Sequence, residues 1–181
     1  MYIGLIIFLL LGVFLVWAYN GLVKKKLFTE EAYSGIDVQL KKRYNLIPNL
    51  LETVKGYAQH EKDTFTSVVN ARNSAISAEG INEQQQAENN LNSSLLNLFA
   101  LAEQYPELRA SENFKYLQEE LVNIEDDIEK SRRYYNGTVR EYNIKVAVFP
   151  SSIIANLFKF RTLSFFEMDI RYKELPKISF S

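Results

Sequence analysis

The chain has 181 residues with 21 basic and 22 acidic side chains, no cysteine and one histidine. Without cysteine, a disulfide framework, a thiolate zinc site and thiol catalysis are excluded, and a single histidine excludes a multi-histidine metal site. The near-neutral charge argues against a dedicated nucleic-acid binder. All the charged side chains lie in residues 24–181. The even average therefore conceals an uncharged leader.

The leader predicts a transmembrane anchor over residues 1–23. Residues 2–19 are an uninterrupted run of apolar or aromatic side chains and glycine, long enough to reach about 27 Å as a helix and cross a bilayer core. A cleaved signal peptide is the alternative, but no basic residue precedes the run and it is longer than a typical signal core. Five membrane-flanking residues end or follow the run: Trp17, Tyr19, Lys24, Lys25 and Lys26.

The flanking lysines also predict an orientation. The positive-inside rule places their side in the cytoplasm, giving a single-pass protein of the cell (inner or plasma) membrane with its N-terminus outside. One lysine triplet can be overridden, so the opposite orientation stays open.

The heptad-like spacing of residues 24–145 predicts an antiparallel bundle of three to four long helices, and the fold class is all-α. Between Tyr33 and Ala78, two adjacent apolar stripes follow a 3–4 spacing, which indicates contact with more than one helix. If unbroken, this helix extends about 69 Å. Pro48 lies off the seam and is expected to kink the helix without ending it.

Breaks and caps divide the rest of the bundle. A turn is expected at residues 79–82, and Tyr105-Pro106 ends the helix that follows it. Ser111 is a candidate N-cap for the most regular helix, which runs to Tyr142. Residues 146–149 are too short a run for the sequence to decide between strand and helix. Residues 146–181 form an aromatic and basic tail, with a short amphipathic helix near residues 153–158.

The charges are segregated along the chain. Residues 24–78 carry net +3, residues 79–129 net −10 and residues 130–181 net +6. A solvated bundle with uneven faces explains this distribution; basic ends lying near anionic lipid are the alternative.

Motifs spread over residues 19–160 carry a family resemblance. The segments are Tyr19–Val23, Ile36–Arg43, Leu46–Leu50, His60-Glu61, Ala71–Asn73, Tyr105–Ala110, Asn113-Phe114, Arg132–Asn136, Tyr142-Asn143, Phe149-Pro150 and Ala155–Phe158. In combination they resemble the LemA family of bacterial membrane proteins, with Tyr33 standing where the family often has tryptophan. The resemblance implies one membrane-spanning helix followed by an antiparallel bundle of long helices. The family's biochemical activity is not established, although some relatives are associated with organising specialised membranes.

A polar stripe lies on one edge of the last long helix. Glu125, Arg132, Asn136 and Asn143 follow helical spacing beside the seam residues Tyr135 and Tyr142. Candidate partners on the first helix of the sequence pattern are Asp37, Arg43 and Arg72. Such groups either form buried hydrogen bonds and ion pairs that fix the helix register, or line a pocket for an anionic or peptide ligand.

Two other polar motifs have simpler interpretations. His60-Glu61 lacks the second histidine of a zinc protease, because Thr64 stands in that place, so a surface histidine near a helix bend is expected. The acidic run at 125–127 fans out around a helix and does not converge on a cation.

Six of the twelve phenylalanines lie in residues 149–180. The predicted tail contacts are Phe149, Phe158, Phe160, Phe165 and Phe166. Phe149, Ile153, Leu157 and Phe158 are expected either to cap the bundle core or to rest on the bilayer. Phe165, Phe166 and Phe180 are harder to bury and favour an exposed adhesive surface.

The sequence favours a non-enzymatic, membrane-anchored scaffold or adaptor with no cofactor, no catalytic residue and no evident small-molecule substrate. Its expected partners are the lipid bilayer, further copies of the chain, and an unknown membrane or cytoplasmic protein, but no nucleic acid. One alternative is a regulatory or chaperone-like partner of a membrane protease or envelope-stress system. A less favoured one is an enzyme with a polar site inside the bundle.

Overall fold

Helices form nearly all of the chain described by the computed structural model, which covers residues 2–166. They are α1 (Tyr2–Lys55), α2 (Lys62–Ser77), α3 (Gly80–Ala102), α4 (Pro106–Ala110), α5 (Glu112–Ala147) and α6 (Ser151–Leu157). No strand occurs within those residues, which confirms the all-α fold class and the long packed helices. The predicted tail beyond residue 166 lies outside the described residues.

The antiparallel pair of α1 and α5 is the spine of the molecule. Successive contacts pair Lys25 with Glu141, Arg43 with Glu125, and Thr53 with Asn113, so the two helices run side by side for most of the length of α5. The predicted seams supply their buried side chains, among them Ile36, Leu40 and Ile47 from α1 and Leu121, Ile124 and Ile128 from α5. A strict heptad spacing keeps these faces together along the pair.

The prediction of one helix through residues 33–78 is wrong, because α1 ends at Lys55 and the chain reverses before α2. Gly56, a poor helix former, opens the turn, and His60 lies exposed within it. The reversal allows Phe65 and Val68 of α2 to join the core that α1 and α5 begin. The apolar spacing happens to continue across the turn, so periodicity alone does not reveal the break.

The turn before α3 is also shorter than predicted, because Gly80 already begins the helix and Ile81 and Asn82 are helical. Gly80 has φ +79°, a conformation that glycine adopts without steric cost. The predicted break at Tyr105-Pro106 is present, because α3 ends at Ala102 and Pro106 begins α4. The predicted Ser111 cap is also present, since Ser111 Oγ accepts a hydrogen bond of 3.4 Å from the Phe114 amide.

Because α2 and α3 are much shorter than α1 and α5, the bundle has four helices only in its distal half. Nearer the apolar leader, the α1–α5 pair is covered instead by α6 and by an extended stretch, residues 160–166, called here the docked segment. The molecule is therefore a four-helix end joined to a two-helix stalk.

Pro48 lies inside α1 without ending the helix, as predicted. Proline has no amide hydrogen, so the Tyr44 carbonyl four residues earlier loses its helical partner. Arg72 of α2 replaces it, since its Nε donates a hydrogen bond of 2.7 Å to that carbonyl oxygen. Because Pro48 lacks an amide hydrogen, the Tyr44 carbonyl is available to Arg72, and this hydrogen bond holds α2 against α1.

Candidate functional site

The most deeply buried charges of the described chain lie between α1 and α3. Arg43 and Glu88 are each only 1% exposed, and Arg43 Nη1 donates to Glu88 Oε2 at 2.6 Å. Arg43 Nη2 donates to the Asn92 side-chain oxygen. Removing either charge would leave the other buried without its main partner, so this pair fixes how α3 sits on α1.

Two uncharged side chains donate hydrogen bonds to the second carboxylate oxygen of Glu88. The Tyr44 hydroxyl donates to Glu88 Oε1, and Gln84 Nε2 donates to the same oxygen at 3.0 Å and to the Tyr44 hydroxyl at 2.9 Å. Gln84 also donates to the Ala75 carbonyl of α2 at 3.2 Å. Burial, followed by the hydrogen bond to Glu88, raises the pKa of Tyr44, which stays protonated as a donor.

On the α5 side, Glu125 Oε1 lies 2.9 Å from Arg43 Nε, close enough for an ion pair but without the alignment of a hydrogen bond. Desolvation raises the pKa of Glu125, against the opposing effect of Arg43. Arg132 is half-buried nearby, and desolvation lowers the pKa of its guanidinium while Glu88 and Glu125 oppose the shift. Arg43, Tyr44, Gln84, Glu88, Asn92 and Glu125, called here the polar cluster, thus join α1, α3 and α5 through one buried guanidinium.

The three predicted partners of the polar stripe have different contacts in the structure. Arg43 meets Glu125, whereas Arg72 binds the Tyr44 carbonyl and Asp37 lies half-buried near Lys41. Burial is the main cause that raises the pKa of Asp37.

Sequence reasoning missed Gln84, Glu88 and Asn92. Gln84 and Glu88 continue the buried stripe of Leu91, Leu95 and Leu98 at spacings of 4, 3, 4 and 3. Two polar residues on an apolar stripe, in a bundle with an arginine on its facing seam, are the pattern that could have revealed them.

The other half of the polar stripe binds the docked segment. Asn143 donates to the Leu163 carbonyl at 2.9 Å and accepts from the Leu163 amide at 2.8 Å. Asn136 makes the same pair of bonds with the carbonyl and amide of Phe166, both at 2.9 Å. The Tyr135 hydroxyl adds a bond of 3.2 Å to the Ser164 carbonyl. Two asparagines therefore bind the main chain of an extended segment.

The expectation that Phe166 is exposed is wrong, because its side chain is only 3% exposed. Its ring stacks on Tyr33 at 6.2 Å, meets Tyr135 edge-on at 5.5 Å, and has the Arg132 guanidinium 5.4 Å from its centroid. Aromatic neighbours and a cation make this a favourable pocket for a phenyl ring. Phe165 points away and is exposed.

A third contact region, called here the junction, joins α6 to the end of the apolar leader. Ile154 and Ala155 of α6 pack on Ala18 and Leu22 of α1, with Phe14 and Phe160 at the edge. Tyr19 contacts the ring of Phe158 at 4.8 Å. α6 therefore lies level with the last turns of the apolar run.

The junction leaves large apolar side chains exposed. Phe149 is 76% exposed, and Ile153, Leu157 and Phe158 are each more than half exposed, so they do not cap the bundle core. The difference arises because Ile154 and Ala155 are the α6 residues that face α1, whereas Ile153 and Leu157 are exposed on α6 and Phe149 and Phe158 flank its two ends. An exposed apolar group of this kind marks a surface that contacts lipid or protein.

Basic side chains surround the junction. Lys145 Nζ lies 5.2 Å from the Trp17 ring centroid, and Gly21 leaves room for it, since a Cβ there would overlap the ammonium group. Lys24 lies over Phe28, Lys25 pairs with Glu141, and Lys26 lies 3.6 Å from Glu30. The charged region thus begins where the apolar run ends.

α1 contains a stretch long and apolar enough to cross a membrane, and nearly all its side chains before Ala18 are exposed. Among residues 2–166, no group of three or more histidine or acidic side chains is placed to hold a metal ion.

Comparison with known proteins finds relatives that are similar over most of the chain. Magnetosome protein MamQ 2 of Paramagnetospirillum magneticum is 24% identical over 179 residues, covering 84% of this chain and 66% of the relative. Magnetosome protein MamQ of Magnetospirillum gryphiswaldense is 22% identical over 178 residues, covering 84% and 65%. Protein LemA of Metamycoplasma hominis is 24% identical over 150 residues, covering 82% and 68%.

The chain thus spans about two thirds of the length of these relatives, and slightly less for the MamQ proteins. The family described as the LemA family matches residues 32–180, far more than half of the chain. The chain belongs to the LemA family.

Proposed function

We propose that this protein is a membrane-anchored scaffold or adaptor that acts through contacts with lipid, with other copies and with a membrane or cytoplasmic protein, rather than as an enzyme. The carrying observation is the junction. If residues 2–19 cross the bilayer, α6 is held at the membrane surface by its contacts with Ala18 and Leu22, and its exposed apolar face enters the interface.

The polar groups of the bundle support a structural rather than a catalytic body. The carboxylate and guanidinium of the polar cluster bind one another between helices, where they hold the register of α1, α3 and α5. The names of the MamQ relatives, which are magnetosome proteins, accord with a role at a membrane.

The proposed location is the cell membrane, with the N-terminus outside and the bundle in the cytoplasm. The three lysines that follow the apolar run and the basic side chain of Lys145 support this orientation. A reporter fused at residue 181, combined with crosslinking in intact cells, would test the orientation and identify partners together. Selective recovery of one membrane protease would favour the regulatory alternative instead.

Depth-dependent quenching tests the junction directly. The only tryptophan is Trp17, so W17F provides a background into which F158W introduces a single fluorescent reporter. In liposomes, lipids brominated near the headgroup should quench this introduced indole more strongly than lipids brominated near the chain ends. The matched control is V122W, which replaces an exposed apolar side chain on α5 far from the junction and should not be quenched. Equal, weak quenching at both positions would refute membrane contact by α6.

A further inference from the structure

Asn136 and Asn143 bind the docked segment through its main chain, as a binding site for an extended peptide would. Asn136 and Asn143 each engage both the amide and the carbonyl of one residue, as a neighbouring β-strand would. Seven residues of helix rise about 10.5 Å, and three residues of extended chain cover about 10 Å. The spacing of the asparagines on α5 therefore matches that of Leu163 and Phe166, so the face is built for an extended segment.

The side-chain requirement of this face is also visible. Phe166 fills the pocket between Tyr33, Tyr135 and Arg132, and Leu163 packs on the edge of the same core. Ser164 and Phe165, between them, are exposed. The preferred ligand is an extended peptide with a leucine followed three residues later by a phenylalanine, and every copy of this chain carries one.

The connection between α6 and the docked segment is strained. The Phe160 amide donates to the Ala155 carbonyl at 2.8 Å, and the Lys159 amide donates to the Asn156 carbonyl at 3.2 Å. These are the two bonds of a Schellman helix end, whose left-handed residue is usually glycine. Here that residue is Lys159, with φ +59°. Strained short hinges favour exchange of the element that follows them between identical molecules.

We propose that two copies exchange residues 161–166 of their docked segments, so that these residues of each copy bind Asn136 and Asn143 of the other, whereas Phe160 stays at the junction of its own copy. This inference rests on the self-association in the proposed function and specifies how it occurs. Since each bound segment makes the same hydrogen bonds in either molecule, exchange conserves those bonds. Release of the strain at Lys159 offsets the loss of the two hydrogen bonds of the helix end. Reciprocal exchange gives a closed pair with twofold symmetry.

A complementation experiment tests the exchange in the full-length protein. One tagged chain carries N136A/N143A and keeps its segment, whereas a second, differently tagged chain carries L163S/F166S and keeps its binding face. The two are co-expressed in one membrane, extracted in mild detergent and captured through one tag. Neither variant should capture a second copy of itself, but the mixed pair should associate, because one intact segment meets one intact face.

The hinge provides variants with opposite expected effects. K159G adopts positive φ without strain and should lower the fraction of exchanged pairs, whereas K159V, which also removes the charge but disfavours positive φ, should raise it. The paired fraction is measured by crosslinking in the membrane. An equal effect of both substitutions would indicate a charge effect and overturn the hinge argument.

Folding and binding are checked separately. Each variant should retain wild-type helicity, since the altered contacts lie outside the polar cluster; if N136A/N143A loses helicity, N143A alone takes its place. A labelled peptide of residues 161–166 should bind full-length L163S/F166S and lose affinity when N143A is added. If wild-type copies associate but the mixed pair does not, the exchange is refuted while the scaffold stands. If wild-type copies do not associate in the membrane, self-association itself fails.

Discussion

The contact between Arg72 and the carbonyl released by Pro48 can be tested by a double-mutant cycle. The four proteins are the wild type, R72M, P48A and P48A/R72M. In the wild type, R72M removes the hydrogen bond that Arg72 donates to the Tyr44 carbonyl. With alanine at position 48, a backbone amide is available to that carbonyl, so the arginine is no longer needed there.

The expected magnitude follows from the chemistry of this bond. A hydrogen bond involving a charged group contributes about 1.5–3 kcal/mol, and the half-exposed position of Arg72 places it at the lower end. R72M should therefore lower the free energy of unfolding by about 1.5 kcal/mol in the wild type and by less than about 0.5 kcal/mol in the P48A background. The coupling free energy is thus about 1 kcal/mol.

The cycle is measured by urea unfolding of the full chain in a non-ionic detergent, followed by far-ultraviolet circular dichroism. R140M serves as the matched control, because Arg140 is an exposed arginine on α5 whose loss should change stability by less than about 0.5 kcal/mol. Equal losses from R72M with and without Pro48 would show that the arginine acts through charge or packing, and not through the released carbonyl.

Three further predictions concern stability. E88A should cost about 3–5 kcal/mol, because it leaves Arg43 buried beside a single, partly exposed carboxylate, and the apolar pair R43M/E88L should cost less; both are measured by urea unfolding. Since burial raises the pKa of Asp37 in the folded state, the folded protein binds the proton more tightly and loses stability as pH rises through that pKa. D37N should therefore raise the melting temperature at pH 7.5 relative to the wild type, with a smaller gain at pH 3.5. S111A should cost about 1 kcal/mol through loss of the α5 cap, and S111G only a few tenths, with no difference between them arguing against a capping role.

Much of the helical layout follows from local patterns in the sequence. The seams of α1 and α5, the break before Pro106 and the Ser111 cap depend on spacing and on residues close in the chain, which the sequence displays directly. The turn at Gly56 does not, because a 3–4 spacing can resume across a six-residue reversal. Only the tertiary gain from burying Phe65 and Val68 against α1 decides between a longer helix and a hairpin.

The contacts of the polar stripe needed long-range information. Asn136 and Asn143 stand out in the sequence as polar residues beside a seam, but their ligand is a main chain, which has no sequence pattern of its own. Phe166 is grouped by sequence with the other tail aromatics, and becomes buried because the short α2 and α3 leave the stalk uncovered. Glu88 is one of many acidic residues, and its place on an apolar stripe becomes informative only together with the facing Arg43.

Because α1 is one continuous helix, a change in the direction of its apolar end also moves the far end of the molecule. No linker separates residues 2–19 from the body, and residues 24–55 alone extend the same helix by about 48 Å. Transmembrane helices tilt by about 20° on average, and such a tilt moves the distal end sideways by about 16 Å. If residues 2–19 cross the bilayer, a local change in bilayer thickness that alters the tilt would therefore displace the four-helix end. Under the same condition, a force applied to that end would exert a torque on the surrounding lipid.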